Sequence, residues 1–234
     1  MSDALSLAFF DSAHGRYGIA RSGATLLFQG SAAEALEGGP EVEPRDGGWH
    51  ARLGDALDLR FEAIGEPADL GPVRAHVCRV TGQVEGTPID CLGTVGETTA
   101  APSWEELDAL RSISAVFDER NAVLALARRP RGAQGHGEEL TVGWLLGDGE
   151  LLSVEDARIS TVYDAEGRQR SAGLELWLPG EEFPRRASGT VAAGTSLELE
   201  GLRVHAAVFR WRMDDREGLG AYELMVRDEP PAAA

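Results

Sequence analysis

Two carboxylates stand where acid chemistry could use them. Asp90 lies within the apolar run "PIDCL", Pro88 to Leu92. Glu97 lies in "GETTAAPSWEEL", Gly96 to Leu107, a stretch that interrupts a chain of short strand-like segments. A carboxylic acid buried among apolar groups keeps its proton toward neutral pH and becomes a donor. Aromatic faces nearby shelter a positive charge through their quadrupoles. Tyr17, Trp104, Trp144, Trp211 and Tyr222 are the rings expected to line a ligand, with Trp104 favoured because it follows a proline-broken loop. The plainer alternatives stay open: a turn-adjacent surface carboxylate at Asp90, a solvated loop residue at Glu97, and simple core packing for the rings. Glu223, beside Tyr222 in the last strand, has no direction fixed by its neighbours.

Other chemistries find little support. The histidines at 14, 50, 76, 136 and 205 do not cluster, and none has metal-ligand spacing. His50 and His76 read as alternating outward. No metal and no cofactor are expected. There is no GxSxG elbow, P-loop or dinucleotide fingerprint. The basic run "RRPRG", Arg128 to Gly132, reads as a hairpin tip. Cys78 and Cys91 flank the turn candidate at Glu85-Gly86, which would set Cys78 opposite Gly93 and Cys91 opposite Val80. Two reduced, half-buried thiols follow.

Composition narrows the partners. The formal net charge is −17 over 234 residues, and all 22 basic residues are arginine. Such a surface repels phosphate backbones, which argues against nucleic acid. No segment reaches the ~20 apolar residues of a membrane span, so no membrane insertion is expected. The opening "MSDALSLAFFDSAHG" lacks a basic region and a long apolar core, so a cytoplasmic location is expected.

The elements that must position these residues are mostly strands. Leu57, Leu59 and Phe61 alternate with Asp58, Arg60 and Glu62, and the same style recurs along the chain. Asp148-Gly149, Glu166-Gly167 and Glu200-Gly201 mark hairpin turns. After Ala207 the polar phase flips, which predicts a bulge or a strand crossing between environments. Ser31 to Gly48 reads as an acidic loop without periodicity. Ser103 with Glu106 forms a capping-box pattern, which predicts a short helix from Trp104 to about Leu110. A faint repeat also appears. "AFFD", Ala8 to Asp11, precedes "GIAR"; "AVFD", Ala115 to Asp118, precedes "LALAR". The layout implies two antiparallel β units, residues 1–95 and 112–230, joined by the helix-bearing segment 96–111. Exposed sheet edges are compatible with a homodimer.

Four stretches carry a family resemblance: "FFDSAHGRYGIAR", "GQVEGTPIDCLGTVG" leading into "SWEELDALRSISAVFDE", "LLGDGELLSVEDARISTVYDAEGRQ" and "GLGAYELMVRD". In this order they resemble the carotenoid-hydratase and AttH-like superfamily. The resemblance implies an all-β protein of two tandem lipocalin-like barrel or sandwich units. It also implies an apolar ligand of isoprenoid, lipid or polyketide-like type and, in some members, hydration or cyclisation without a cofactor. Where relatives carry a basic stretch with His and Trp, this chain has Gly96–Pro102, and only Trp104 remains recognisable. That change places Glu97 first among the acids. Three functions follow: binding of an apolar small molecule without turnover, a cofactor-independent hydratase, lyase or cyclase using Glu97 or Asp90, or a structural interaction module.

Overall fold

The computed structural model describes residues 4–134 and 136–227. The first sheet contains β1 (Ala4–Asp11), β2 (Arg16–Arg21), β3 (Ala24–Gln29), β4 (Ala32–Glu37), β5 (Glu41–Arg45), β6 (Gly48–Leu53), β7 (Leu57–Asp69), β8 (Val73–Val84) and β9 (Thr87–Thr98). The second contains β10 (Leu107–Asp118), β11 (Asn121–Pro130), β12 (Leu140–Gly147), β13 (Glu150–Ser153), β14 (Asp156–Tyr163), β15 (Gln169–Trp177), β16 (Arg185–Leu199), β17 (Leu202–Met213) and β18 (Arg216–Arg227). The spatial orders are β4-β3-β2-β1-β9-β8-β7-β6-β5 and β13-β12-β11-β10-β18-β17-β16-β15-β14. The two topologies are identical. In each, the first strand of the unit pairs antiparallel with the last.

The faint repeat falls on equivalent hairpins. Asp11 ends β1 and accepts the Ala13 N–H at 3.1 Å. Asp118 ends β10 and accepts the Arg120 N–H at 2.7 Å. Both carboxylates close an Asx-type turn that reverses the chain into the next strand. The expected turns at Glu85-Gly86, Asp148-Gly149 and Glu200-Gly201 are present, with positive φ at both residues of each. This twist matches that of the flanking strands. Cys78 faces Gly93 and Cys91 faces Val80, as the turn at Glu85-Gly86 requires.

Two expectations are corrected, and a third is located. Trp104 to Leu110 is not a helix. Ser103 and Glu106 close a turn, with the Glu106 N–H on the Ser103 carbonyl at 3.0 Å, and β10 begins at Leu107. Seven residues give too few hydrogen bonds to offset helix nucleation, and the ladders to β11 and β18 hold the backbone extended instead. Ser31 to Gly48 is not a loop: it contains β4 and β5, the two edges of the first sheet. Glu34, Glu37, Glu41 and Glu43 are exposed or half-buried there, so the strands show no apolar alternation, and such charges discourage pairing with other edges. The phase flip in "LRVHAAVFRWRM" coincides with a bulge in its hairpin, opposite Val208 and Phe209, as expected. β17 pairs continuously with β18, and the register shift lies in neighbouring β16, between Val191 and Ala193.

Central strands are buried on both faces. Leu7, Phe9, Trp49, Leu59 and Phe61 fill the inner face of the first sheet. Ile113, Phe209, Trp211 and Tyr222 fill that of the second. The opposite faces pack on one another: Phe10, Ile19 and Phe28 of the first sheet join Leu124, Val204 and Val208 of the second in a third core. In β17 every residue from Val204 to Phe209 is buried.

Candidate functional site

A depression of about 680 Å³ opens between the two units. β1 and β9 of the first unit line it together with β10, β16, β17 and β18 of the second. Phe10, Leu92, Val116, Phe117 and Leu219 give it apolar patches, within a lining that exposes somewhat more polar than apolar surface and carries the charges of Asp11, Asp90, Arg210, Arg212 and Glu217.

These charges differ in freedom. Asp11 is buried and committed: besides its turn contacts it meets His14 Nδ1 at 2.6 Å. Arg212 donates from Nε to Glu217 at 2.9 Å. Arg210 is exposed and forms no hydrogen bond or ion pair among the described residues. Asp90 is exposed at the end of β9. Beside it, burial pushes the Cys91 thiol up to about 12, with Asp11 and Asp90 adding to the shift.

The two candidate acids are not brought together. Ile89 and Val95 of β9 pack into the inner face of the first sheet. Glu97 shares their parity and Asp90 does not, so the carboxylates leave opposite faces of one strand. Seven residues at ~3.3 Å each also separate them by roughly 23 Å. Glu97 instead meets His76 Nε2 at 3.2 Å. His76 is not turned outward: its side chain is 12% exposed, and its ring lies edge-on to Trp49 at 4.8 Å. A three-residue irregularity in β7, between Ile64 and Ala68, adjoins this pair.

The rings also divide. Trp211 contributes to the cleft wall, yet it is 1% exposed and stacks on Phe209 at 5.4 Å. Tyr222 is fully buried inside the second unit, where its hydroxyl lies 2.7 Å from Thr161 Oγ1. Burial pushes this phenol up to about 12. Tyr17 is core between the sheets. Trp104 and Trp144 are half-buried against that same core. Trp144 Nε1 donates to the Asp69 carbonyl at 2.7 Å, linking the units, and the Trp104 carbonyl accepts from Arg227 at 2.8 Å.

Sequence reasoning missed a charged group inside the second unit. Arg111 is 1% exposed, pairs with Glu139, and donates to Tyr222 Oη and Thr161 Oγ1, both at 3.3 Å. Its signal was an arginine inside the apolar run "ALRSISAVF". Among the described residues, no three or more His, Cys, Asp or Glu side chains gather in a metal-binding arrangement.

No family model matches the sequence, and no curated protein is similar to it in sequence. Solved structures do match. An AttH-like protein of Nitrosomonas europaea superposes with a TM-score of 0.61 at 13% identity, over 94% of this chain and 90% of that one. Kievitone hydratase of Nectria haematococca superposes with a TM-score of 0.59 at 11% identity, over 97% and 89%. The chain therefore has the lipocalin-like double-β fold of these proteins, which bears out the resemblance at the level of the fold.

Proposed function

We propose that the protein binds an apolar small molecule of isoprenoid, lipid or polyketide-like type in the cleft between its two units, without turnover. The cleft volume carries this reading: about 680 Å³ lies within the few-hundred to thousand Å³ range of small-molecule sites. The unit interiors fit a ligand less well, because Phe61 and Leu59 fill one while Phe209, Trp211 and Tyr222 fill the other. The acidic surface favours an uncharged or apolar partner over a polyanion and suits a cytoplasmic protein.

A hydratase is the second reading. It is favoured by the likeness to kievitone hydratase and by the place of Asp90 in the cleft wall. Asp90 would then give its proton to an alkene carbon, water would add to the resulting cation and return a proton to the carboxylate, and Glu97 would take no part.

Native mass spectrometry of freshly purified protein, with organic extraction of any adduct, tests the binding reading. A 1:1 apolar adduct that is lost in Leu219→Trp is expected. A bare mass after incubation with mixed isoprenoids and fatty acids would overturn it. Conversion of the extracted compound by wild type, abolished in Asp90→Asn, would replace binding by hydration.

A further inference from the structure

Among the described residues, the charges of the cleft wall are answered within the protein except at Arg210. Asp11 is taken by its turn and by His14, and Arg212 by Glu217. Glu119 and, after it, Asp90 raise the pKa of Arg79, so Asp90 has a positive neighbour. Arg210 is exposed and has no hydrogen bond or ion pair among the described residues.

Strand parity aims this side chain at the cleft. Phe209 and Trp211, its neighbours in β17, fill the interior of the second unit, so Arg210 leaves the opposite face. Val208 leaves that face too, where it packs against the first unit. Cross-strand pairing then sets the surroundings. Arg210 stands opposite Thr190 of β16 on one side and Leu219 of β18 on the other, and Val116 of β10 stands opposite Leu219. Residues paired in this way share a face. The row therefore runs from a hydroxyl through a guanidinium to two apolar side chains, with roughly 10 Å, two strand spacings, from Arg210 to Val116. Phe10 and Leu92, paired with each other in the first unit, belong to the same apolar core as Val116 and Leu219.

The corresponding row of the first unit is built differently. Counted from the turn of its hairpin, Thr81 of β8 takes the place of Arg210, and it stands between Arg60 and Asp90. That row carries a charge of each sign. The row at Arg210 carries a cation and no acid, with Leu219 where the first unit has Asp90. An unanswered arginine beside an apolar strip fits a ligand with one acid group and an apolar body. Asp11, Asp90 and Glu217 around it disfavour a second negative charge on that ligand. A lining that exposes more polar than apolar surface also suits such a ligand better than a hydrocarbon.

We infer that the cleft ligand is a monocarboxylate with an apolar body, its carboxylate held by the Arg210 guanidinium and the Thr190 hydroxyl, its body lying on Leu219, Val116, Phe10 and Leu92. This ligand class presupposes the cleft as the binding site proposed above.

Isothermal titration with decanoate at pH 8, and with decanol as its uncharged counterpart, reads the ratio of the two affinities. Wild type is expected to prefer decanoate about tenfold, the low end for a hydrogen-bonded charge because the arginine is exposed. Arg210→Met is expected to bring the ratio close to one, and Thr190→Val to lower it about threefold, the worth of one hydrogen bond. Arg170→Met removes the same charge from β15, outside the cleft, and is expected to leave the ratio unchanged. Leu219→Trp, which blocks the cleft, is expected to exclude both probes. Equal affinities in wild type, or a ratio that Arg210→Met does not change, with both probes still excluded by Leu219→Trp, would overturn the carboxylate assignment and leave the cleft reading standing. Failure of wild type to bind either probe, or binding that Leu219→Trp does not affect, would overturn the assignment together with the cleft as a lipid site.

Discussion

Arg21 of β2 and Glu223 of β18 form an ion pair across the boundary between the two sheets. The side chains are 19% and 9% exposed, and Arg21 Nη1 also contacts Met225 Sδ at 3.1 Å. The direction of Glu223, open in the sequence, is thereby settled: it faces the first unit, while its neighbours Tyr222 and Leu224 face the interior of the second. An apolar interface alone permits sliding, and a directional polar contact within it favours one arrangement. The relative placement of the sheets in turn sets the walls of the cleft.

Removing one member of this pair leaves a shielded charge uncompensated. Glu223→Leu or Arg21→Met is expected to cost about 2 kcal/mol, below the 3–5 of a fully buried pair because Arg21 is partly wetted. The double variant is expected to regain about half of that loss, since two apolar groups leave no orphan charge. Urea denaturation of the four proteins gives the coupling energy. Additive single effects would mean that the pair does not pin the sheets.

Both units seat an aromatic ring over a cross-strand glycine. Phe9 faces Gly18, and Trp211 faces Gly189. A Cβ at Gly18 would lie 2.1 Å from Phe9 Cε1, and one at Gly189 would lie 2.6 Å from Trp211 Cε3. Gly189→Ala is therefore expected to displace Trp211 and to destabilise by about 1–3 kcal/mol, as overpacking does. Its tryptophan emission is expected to shift to the red. Gly189→Ala combined with Trp211→Leu should recover most of the loss. Unchanged emission would show that the ring does not need the glycine.

The strands, their turns and the division into two similar halves were readable because each leaves a local mark. Asp148-Gly149 states its own turn, and "AFFD" and "AVFD" each mark a strand that ends in an Asx turn. What was not readable depends on which face meets which partner. The sequence from Val204 to Phe209 shows no alternation because one face packs inside the second unit and the other against the first. The capping pattern at Ser103 and Glu106 was genuine local chemistry, but it closed a turn because pairing by β10 took over one residue later. The segregation of Asp90 from Glu97 needed only the strand parity of β9. The inward turn of His76 was less accessible, since it depends on Trp49 approaching from another strand.

Alkaline pH tests the buried acids. The Cys78 and Cys91 thiols are pushed from 9.0 up to about 12, and the Tyr222 phenol from 10.0 up to about 12, chiefly by burial in each case. A raised folded-state pKa means that the unfolded chain gives up its proton first. The contribution of each group is complete below its unfolded value and is lost as pH rises toward 12. Stability is expected to fall above pH ~9, by up to about 1.4 kcal/mol per pH unit for each thiol. Cys78→Ala with Cys91→Ala should flatten that slope. Native thiols should also resist a disulfide reagent at pH 8 and react at once in guanidinium. Rapid reaction of the folded protein would show that burial does not protect them.

Asp90 and Glu97 offer the sharpest separation between binding and catalysis, because their different faces give them different consequences. Glu97 pairs with His76 away from the cleft, so Glu97→Gln is expected to cost about 1 kcal/mol of stability and to leave ligand affinity unchanged. Asp90 contributes a charge to the cleft wall, and an apolar ligand placed against it must strip water from that charge. Under pure binding, Asp90→Asn should therefore tighten the ligand by roughly two- to tenfold, a fraction of that desolvation cost. Under hydration, the same change would remove the proton donor and abolish turnover, with little effect on affinity. Calorimetry with the extracted ligand and product analysis on the same two variants decide between these outcomes. A larger affinity change in Glu97→Gln than in Asp90→Asn would place the ligand inside the first unit and remove the cleft from both readings.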